Sequence, residues 1–393
     1  MSELSFIRPD PLDFLAVDDL LSDEERMVRD TVRSFVADRI LPGISTWWED
    51  GVLPDGLAKE MGALGLFGMH LDGYGCAGTS NVAYGLACRE LEYGDSGIRS
   101  FMSVQGSLSM FPIWKFGSEE QKQTWLPRMA EGDVIGCFGL TESDSGSDPA
   151  SMRTHARRDG GDWIINGSKM WITNGTIADI AIVWARTDEG IRGFIVPTDA
   201  AGFAAQPIHH KASLRASVTA ELAFDDVRVP DEFRLPGVSS MRGPLSCLNE
   251  ARFGILWGAA GAARACYQAA LEYAGERVQF DRPIAGFQLT QKKLVDMMVA
   301  VNRANLVALH LGRRKDDGTL TPDQISFGKK DNVEQALGVA RVARSILGGN
   351  GITLEYPVFR HMANLETVYT YEGTNEIHTL IMGNSITGLA AFQ

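Results

Sequence analysis

The sequence predicts an α+β fold, mainly α-helical, in which a small β domain separates two helical domains. Helix-capping patterns precede apolar residues at helical spacing in the first third of the chain. Alternating β-branched runs and Asn-Gly dipeptides fill the centre, and helical stretches rich in small residues follow. We expect an N-terminal α domain over residues 1–133, a central β domain over 134–238 and a C-terminal α domain over 239–393.

The N-terminal segment carries two sequence signals for the start of a helix. Ser22 is followed three residues later by Glu25, and Ser118 is followed by Gln121. Each pair predicts a capping box, in which the side chain of each residue accepts a hydrogen bond from the backbone N–H of the other. A helical unit of about 130 residues is an ordinary domain size.

The central segment changes to strand-like patterns. The stretch "DWIINGSKMWITNG" contains two Asn-Gly dipeptides, which are the strongest short signal for a β-hairpin. The stretch "DIAIVWARTDEGIRGFIVPTD" predicts two strands joined by Asp-Glu-Gly, and "ASVTAELAFDDVRVP" adds further strand sequence. These patterns predict a small, mostly antiparallel β domain.

The C-terminal segment returns to helical patterns. The stretch "EARFGILWGAAGAARACYQAALEYAGERVQF" is long and rich in small residues, which suits close helix packing. Thr321 and Pro322 predict the start of another helix, with Gln324 completing a capping box. Gly348 and Gly349 predict its end.

Composition and charge disfavour nucleic-acid binding, membrane binding and secretion. The chain has 393 residues, 45% of them hydrophobic, and a net charge of −13, which disfavours nucleic acid and anionic membranes as partners. Five scattered cysteines without a Cys-x-x-Cys pair favour free thiols in a reducing compartment. The acidic N-terminus resembles neither a signal peptide nor a transit peptide, and we expect no apolar run long enough to span a bilayer. Cytoplasm is the expected location, with a leader-free matrix protein as the alternative.

One glycine-rich stretch matches a nucleotide-binding pattern only formally. In "DGYGCAG", Gly73, Gly75 and Gly78 have G-x-G-x-x-G spacing, and Asp95 follows at the distance of a ribose-binding acid. A dinucleotide fold also needs a strand before the glycines and another that ends at the acid, and neither is evident. We therefore predict a turn between helices.

The sequence also lacks H-E-x-x-H, G-x-S-x-G and Walker motifs, so no metal site is expected.

Four stretches remain ambiguous when each is taken alone. The hydroxyl-rich "CFGLTESDSGSDPASM" could line a polar cofactor or form a surface loop, and "KMWITNG" could offer an indole to a ring system or bury it. "SILGGNGIT" could admit a phosphate-bearing ligand or end a helix. Glu372, in "VYTYEGTNEIHTLIMG", is either a carboxylate at a helix start or a catalytic base.

Taken together, these stretches resemble a known family. The segments "CFGLTESDSGSDP", "WIT", "ERVQFDRPIAGFQ", "LGGNGI" and "YEGTNEIH", in this order, are similar to the signature segments of the acyl-CoA dehydrogenase family. Within the family, "YGCAGTSNVAYGLACRELEYGDSGIRSFMSVQGSL" and "HKASLRASVT" are most similar to the glutaryl-CoA dehydrogenase branch. The resemblance covers nearly the whole chain. It implies an N-terminal helical domain, a central β domain and a C-terminal four-helix bundle, usually assembled as a homotetramer.

The resemblance implies FAD as the cofactor. Carried over position by position, the cofactor-binding residues are Phe138, Leu140, Thr141, Gly146, Ser147, Trp171, Ile172, Thr173, Arg277, Gln288, Ser345, Ile346, Leu347, Gly348, Gly349, Thr374 and Glu376. Those from Arg277 to Gly349 would reach the pyrophosphate and adenosine half from a neighbouring subunit.

The resemblance also assigns the reacting groups. Glu372 matches the base that removes the α-proton, and Tyr371 and Glu92 match positions associated with decarboxylation. Some relatives carry the base directly before the arginine that matches Arg252, a position that is Ala251 here. The substrate-binding positions are Arg99, Ser100, Ser147, Leu248, Asn249, Arg252 and Gly373. Among these, Arg99 would hold a distal carboxylate by charge-assisted hydrogen bonds, and Arg252 would anchor the CoA moiety.

The activity implied is the oxidative decarboxylation of glutaryl-CoA to crotonyl-CoA and CO2. Electrons would pass to an electron-transferring flavoprotein, and the reaction would serve lysine or tryptophan breakdown. The nearest alternative is a non-decarboxylating dehydrogenase, or one for a neutral short-chain acyl-CoA. More distant alternatives are a nicotinamide enzyme that uses the Gly73 loop and a non-catalytic flavin-binding relative.

Overall fold

The N-terminal part of the protein consists of helices. The computed structural model describes residues 9–391. Both predicted capping boxes are present: Ser22 with Glu25, and Ser118 with Gln121. Turns of wider π-helical geometry continue two of the helices over Val36–Ile40 and Val104–Met110. The helices are α1 (Asp23–Phe35), α2 (Ile44–Asp50), α3 (Leu57–Ala63), α4 (Asn81–Gly94), α5 (Ser96–Ser103), α6 (Phe111–Phe116) and α7 (Glu119–Ala130).

The central part is one sheet. Its strands are β1 (Gly136–Gly139), β2 (His155–Asp159), β3 (Asp162–Thr173), β4 (Ile180–Thr187), β5 (Gly190–Pro197), β6 (Phe203–Pro207) and β7 (Thr219–Pro230). The strand order is β1-β4-β2-β3-β7-β6, and β5 pairs with β4. The β1–β4 pairing and a single β2–β4 contact are parallel, and the other pairings are antiparallel. The predicted strand pair joined by Asp-Glu-Gly is the β4–β5 hairpin.

The C-terminal part is the predicted helical bundle. Its elements are α8 (Arg242–Glu276), a two-stranded ribbon of β8 (Val278–Gln279) and β9 (Arg282–Pro283), α9 (Gln288–Asp316), α10 (Pro322–Ile346), α11 (Pro357–Thr370) and α12 (Asn375–Thr387). Helix α8 packs on α9, α10 and α11, and α12 packs on α10. Helix α10 starts at Pro322 and ends just before Gly348, which has a φ of +58°. The α+β, mainly α architecture is therefore confirmed.

The hairpin prediction at the Asn-Gly dipeptides is wrong. Strand β3 runs through Asn166-Gly167, and the pairing with β7 shifts register there, as in a β-bulge. A Cβ on Gly167 would lie 2.6 Å from Thr154 Oγ1, so this close contact requires glycine. Asn174-Gly175 lies in a turn after β3, but β3 does not pair with β4, the next strand. Asn-Gly permits positive φ angles, which bulges and open turns use as readily as hairpins do.

The glycines at 73–78 lie in the turn between α3 and α4, as predicted. No strand precedes them in the described part of the chain, and the first strand there is β1. Asp95 caps α5 by accepting the N–H of Gly97, and its Oδ2 lies 2.6 Å from Arg360 Nη1. The nucleotide-binding pattern therefore has no matching structure around it.

Helix α9 differs from the expectation that no apolar run is long enough to span a bilayer. By length and composition alone it could cross a membrane, since it contains an 18-residue window with a mean hydropathy of 1.3. In this fold 56% of that window is buried. Core helices pass the same test, so α9 is weak evidence for a membrane span.

Close packing of α4 on α8 joins the N-terminal helices to the bundle. A Cβ on Gly261 of α8 would lie 1.9 Å from the carbonyl oxygen of Arg89 in α4. Gly275, farther along α8, has no heavy atom within 4 Å of the same position. The small residues noted in the sequence therefore allow the two helices to approach each other closely.

Gly261→Ala is expected to lower the free energy of unfolding by about 1–3 kcal/mol, because the helices must separate to admit a methyl group. Gly275→Ala is the matched control and is expected to raise it by about 0.5–1 kcal/mol, since alanine favours the helix. Denaturant unfolding of both variants measures the difference. Equal effects at the two positions would show that the α4–α8 contact is not tight.

Candidate active site

Glu372 lies in the connection between α11 and α12, residues 371–374. Its φ of +56° lies in the left-handed region, which costs a non-glycine residue about 1–2 kcal/mol. Thr374 caps α12, because its Oγ1 accepts the N–H of Ile377 at 3.2 Å. Glu372 is thus two residues outside the helix cap, and it is not a carboxylate of the first helical turn. Such strain is typical of functional positions.

Cationic side chains from two helices hold the backbone of this connection. Arg252 of α8 donates from Nε to the carbonyl oxygen of Glu372 at 2.7 Å. Lys329 of α10 donates from Nζ to the carbonyl oxygens of Tyr371 at 2.8 Å and Gly373 at 2.7 Å. Three successive carbonyls therefore accept hydrogen bonds from the bundle.

The carboxylate of Glu372 is suited to proton transfer near neutral pH. Burial raises the pKa of Glu372 to about 7, and the positive charges of Arg252, Lys329 and Arg99 oppose that rise. Its Oε2 is buried and has no hydrogen-bond partner within residues 9–391. A carboxyl group with a pKa near 7 and a free oxygen can both take and return a proton.

The buried residues Arg99 and Glu92 form a cluster with the half-buried Tyr371 beside this carboxylate. Arg99 Nε lies 2.6 Å from Glu92 Oε2, and Glu92 Oε1 accepts a hydrogen bond from Ser96 at 2.9 Å. Arg99 Nη2 donates to the hydroxyl of Tyr371, and Nη1 has no hydrogen-bond partner in the described part of the chain. Arg99 is 1% exposed and Glu92 is 0% exposed. Ser100 is buried next to Arg99 on α5.

The predicted residues of α8 surround the same connection. Arg252 Nη1 donates to Asn249 Oδ1 at 3.2 Å, and Leu248 and Asn249 are half-buried one turn earlier. Arg252 is 8% exposed, and its Nε is engaged with the Glu372 backbone. Only its Nη2 remains without a partner among the described residues. The role of Arg252 as the anchor of the CoA moiety stays a prediction.

The predicted flavin segments meet where β1 approaches β3. The N–H of Met170 donates to the carbonyl of Thr141 at 2.8 Å, which places Thr141 beside Trp171. Trp171 has a φ of +64° and lies within a register shift of the β3–β7 pairing, so strand alternation alone does not determine which face of the sheet it occupies. The residue is 60% exposed. The side chains of Phe138, Leu140 and Ile172 are buried, so they can border a ligand mainly through their backbone.

The hydroxyl-rich loop after β1 is fixed by Glu142. Its carboxylate accepts the backbone N–H groups of Arg153 at 2.6 Å and Thr154 at 2.9 Å, and Lys169 Nζ at 2.8 Å. The loop is therefore held at both ends, with Gly146 and Ser147 exposed between them. No heavy atom lies within 4 Å of a Cβ built on Gly146, which leaves room for a ligand.

Comparison of the sequence and structure with known proteins identifies the family of this chain. Sequence models of the acyl-CoA dehydrogenase N-terminal, middle and C-terminal domains match residues 22–133, 137–227 and 241–387. The chain belongs to the acyl-CoA dehydrogenase family. It is similar to glutaryl-CoA dehydrogenase from Mycobacterium smegmatis, with 63% identity and a TM-score of 0.97 over 98% of this chain and 100% of that one.

Two further relatives of this acyl-CoA dehydrogenase are informative. A crystal structure of a glutaryl-CoA dehydrogenase from Mycobacterium smegmatis in complex with FADH2 is 59% identical, with a TM-score of 0.97 over 98% of this chain and 100% of that one. The human mitochondrial short-chain specific acyl-CoA dehydrogenase is 35% identical over 374 residues, 93% of this chain and 90% of that protein. The similarity thus extends over all three parts of the fold.

The residues of this acyl-CoA dehydrogenase fit FAD, the cofactor of the family. Trp171 presents a solvent-exposed aromatic plane beside Thr141, as a flavin ring would require. Gly348 and Gly349 have no heavy atom within 4 Å of a built Cβ, so a phosphate could approach the backbone there. The other predicted adenosine-side residues divide into exposed Arg277, Gln288 and Ser345, and buried Ile346 and Leu347. On α12, Thr374 is half-buried and Glu376 is exposed.

Sequence reasoning missed Lys329, Glu142 and His378. His378 is buried against Gly373, and burial lowers the pKa of its ring to about 3. A signal for Lys329 was present, because it lies four residues after Ile325 and four before Val333, both on the buried face of α10. A lysine on an apolar helix face needs a buried partner, and here the partners are backbone carbonyls.

We expect kcat/KM of this acyl-CoA dehydrogenase to rise with pH through about 7. A carboxyl group acts as a base in its carboxylate form, so if Glu372 removes the proton, activity is present above its pKa and is lost as pH falls through it. Initial rates at low substrate concentration across the pH range measure the profile. A profile that is flat between about pH 5.5 and 8.5 would contradict a titrating base with this pKa.

Proposed function

We propose that this acyl-CoA dehydrogenase oxidises and decarboxylates glutaryl-CoA to crotonyl-CoA and CO2. One observation carries the choice of substrate. Arg99, a buried guanidinium, donates to the hydroxyl of Tyr371, the residue next to Glu372, and keeps Nη1 without a protein partner in the described chain. A carboxylate at the far end of an acyl chain would satisfy that donor, whereas a neutral chain would leave it unpaired. Similarity to glutaryl-CoA dehydrogenase supports the same choice.

Proton removal is the task we assign to Glu372. The α-carbon of a thioester is a weak acid, so its ionisation requires hydrogen-bond donors at the thioester oxygen, where negative charge accumulates. The backbone N–H of Glu372 has no partner within residues 9–391 and is available for this role. FAD, when bound, supplies the acceptor for the hydride that leaves the β-carbon. The buried residues Arg99 and Glu92, next to the half-buried Tyr371 and Glu372, limit the water that can compete for the proton.

Decarboxylation follows from the product of that step. The oxidised chain is a glutaconyl thioester, in which the distal carboxylate is conjugated through the new double bond to the thioester carbonyl. When the bond to CO2 breaks, its electron pair stays on the chain as a dienolate, whose charge reaches the same oxygen. The proton taken by Glu372 is then returned to the chain, which gives crotonyl-CoA. Tyr371 and Glu92 would hold Arg99 in place during this step.

We also propose the partners and the setting of the enzyme. Exposed apolar residues flank the predicted adenosine-side positions: Phe280 is 88% exposed and Leu289 is 77% exposed, close in sequence to Arg277 and Gln288. Burial of these side chains against another copy of the chain would place both positions at a subunit boundary, in keeping with a homotetramer. An electron-transferring flavoprotein as acceptor, a cytoplasmic location and a role in lysine or tryptophan breakdown complete the proposal.

A substrate series tests the proposed function. Purified protein is expected to be yellow and to bleach anaerobically with glutaryl-CoA much faster than with butyryl-CoA at equal concentration. Faster bleaching by butyryl-CoA would instead identify a dehydrogenase for neutral short acyl chains. A yellow protein that no acyl-CoA bleaches would identify a non-catalytic flavin-binding relative.

A further inference from the structure

We propose that Lys329 is a positioning residue that aims the backbone N–H of Glu372 at the thioester oxygen and its carboxylate at the α-carbon. The inference rests on the proposed function, because it assumes that Glu372 is the base. It adds a residue that acts through the backbone of residues 371–373 and does not touch the substrate.

The contacts of Lys329 are unusual for a lysine. Its side chain is 0% exposed and extends from the buried face of α10, where Ile325 and Val333 are its neighbours one turn away. Nζ donates to the carbonyl oxygens of Tyr371 at 2.8 Å and Gly373 at 2.7 Å. A buried ammonium group is costly unless it is paired or hydrogen-bonded, and these two carbonyls are the hydrogen-bond partners of Nζ within residues 9–391.

Peptide geometry turns these contacts into control over Glu372. A trans peptide unit is planar, and its C=O and N–H point in opposite directions. The carbonyl of Tyr371 and the N–H of Glu372 belong to the same unit, so the bond to Lys329 directs that N–H away from α10. Neither this N–H nor that of Gly373 has a hydrogen-bond partner in the described part of the chain.

The same contacts explain how Glu372 is kept in the left-handed region. Lys329 holds the carbonyl before Glu372 and the carbonyl after it, and Arg252 Nε holds the carbonyl between them. The strained φ of +56° persists when the surroundings fix the backbone on both sides. Without Lys329, residues 371–373 would lose two of these three restraints and could relax toward a less strained conformation.

Charge gives the interaction a measurable signature. Burial lowers the pKa of Lys329 to about 7, Glu372 and Glu376 oppose this shift, and Arg252 and Arg99 add to it. The ammonium form in turn favours the carboxylate of Glu372. The imidazole ring of His378 also lies beside the connection, and it is neutral near pH 7 because burial lowers its pKa to about 3. Loss of the lysine charge should therefore raise the pH midpoint of proton removal.

The test compares Lys329→Met with Lys330→Met in the complete FAD-loaded enzyme. Lys330, the next residue, pairs with Glu334 at 2.8 Å near the surface and is the matched control. We expect Lys329→Met to reduce the rate of anaerobic flavin bleaching by about 10-fold to 100-fold, with KM changed by less than about threefold. We also expect its pH midpoint to rise by about half a unit or more. Lys329→Arg, which keeps the charge and the donors, should recover part of the rate.

A purely structural role for Lys329 predicts a different result. If Lys329→Met bleached within about twofold of the wild type with an unmoved pH midpoint, the proposal would be wrong. Should this variant not fold, Lys329→Gln, which keeps a donor without a charge, is judged by the same two measurements. Glu372→Gln is measured alongside: if it bleached normally, the base assignment itself would fail. If Glu372→Gln were inactive while Lys329→Met resembled the wild type, only the role of Lys329 would be refuted.

Discussion

Glu372→Gln is expected to slow anaerobic flavin reduction by glutaryl-CoA by between about 10²-fold and 10⁴-fold, the range in which a general base contributes. Glutamine has nearly the same shape and keeps the backbone N–H, so it removes the base while leaving the backbone donor. Binding of the substrate should therefore change little, and the loss should fall on the rate of bleaching. Stopped-flow absorbance of the flavin under anaerobic conditions measures it.

Glu366→Gln provides the matched control for this prediction. Glu366 lies six residues earlier on α11, at the surface, where it pairs with Arg341 at 2.6 Å. This variant should bleach at the wild-type rate. A Glu372→Gln enzyme that retained more than about a tenth of the wild-type rate would show that another group removes the α-proton.

Removal of Arg99 is expected to change both substrate choice and stability. Arg99→Met should lower the ratio of glutaryl-CoA to butyryl-CoA turnover by about 10²-fold to 10³-fold, because the distal carboxylate loses its partner. The same variant leaves Glu92 buried without its guanidinium, which is expected to cost about 3–5 kcal/mol of folding free energy. A low activity of this variant alone could thus arise from poor folding.

A double variant separates the two effects of Arg99. Glu92→Gln combined with Arg99→Met removes the buried charge pair together, so we expect it to regain about 2 kcal/mol or more relative to Arg99→Met. Its preference for glutaryl-CoA should remain lost. Arg341→Met, a surface change, is the control. If the double variant kept the wild-type preference, Arg99 would not be the selector of the distal carboxylate.

The fold could be predicted from the sequence because its signals are local. The capping pairs at Ser22 and Ser118 and the proline at 322 each determine a helix start through contacts within one turn. The Asn-Gly dipeptides misled because a positive φ at Gly167 serves a bulge, and the deciding contact with Thr154 lies 13 residues away in sequence. Local propensity cannot distinguish these two uses of glycine.

The site could be predicted in part, through family resemblance. The order of the family's signature segments predicted that Glu372 is the base. Its local sequence could not, because a glutamate in that position also suits a helix start. The hydrogen bonds of Lys329 join α10 to residues more than 40 positions away, so they depend on tertiary packing. The Thr374 cap and the pairing of Arg99 with Glu92 join residues close in sequence, but residue types alone do not show that these particular contacts form. Of these, only the lysine on the apolar face of α10 left a pattern in the sequence. The roles of the cofactor-side residues stay predictions.

Single-turnover stoichiometry tests the central claim most directly. Wild-type enzyme is mixed anaerobically with excess glutaryl-CoA, and flavin absorbance, CO2 and acyl products are measured on the same sample. We predict complete bleaching with one CO2 and one crotonyl-CoA for each flavin reduced. Bleaching with no CO2 and with glutaconyl-CoA as the product would contradict the decarboxylation, and failure to bleach would contradict the assignment of glutaryl-CoA as the substrate.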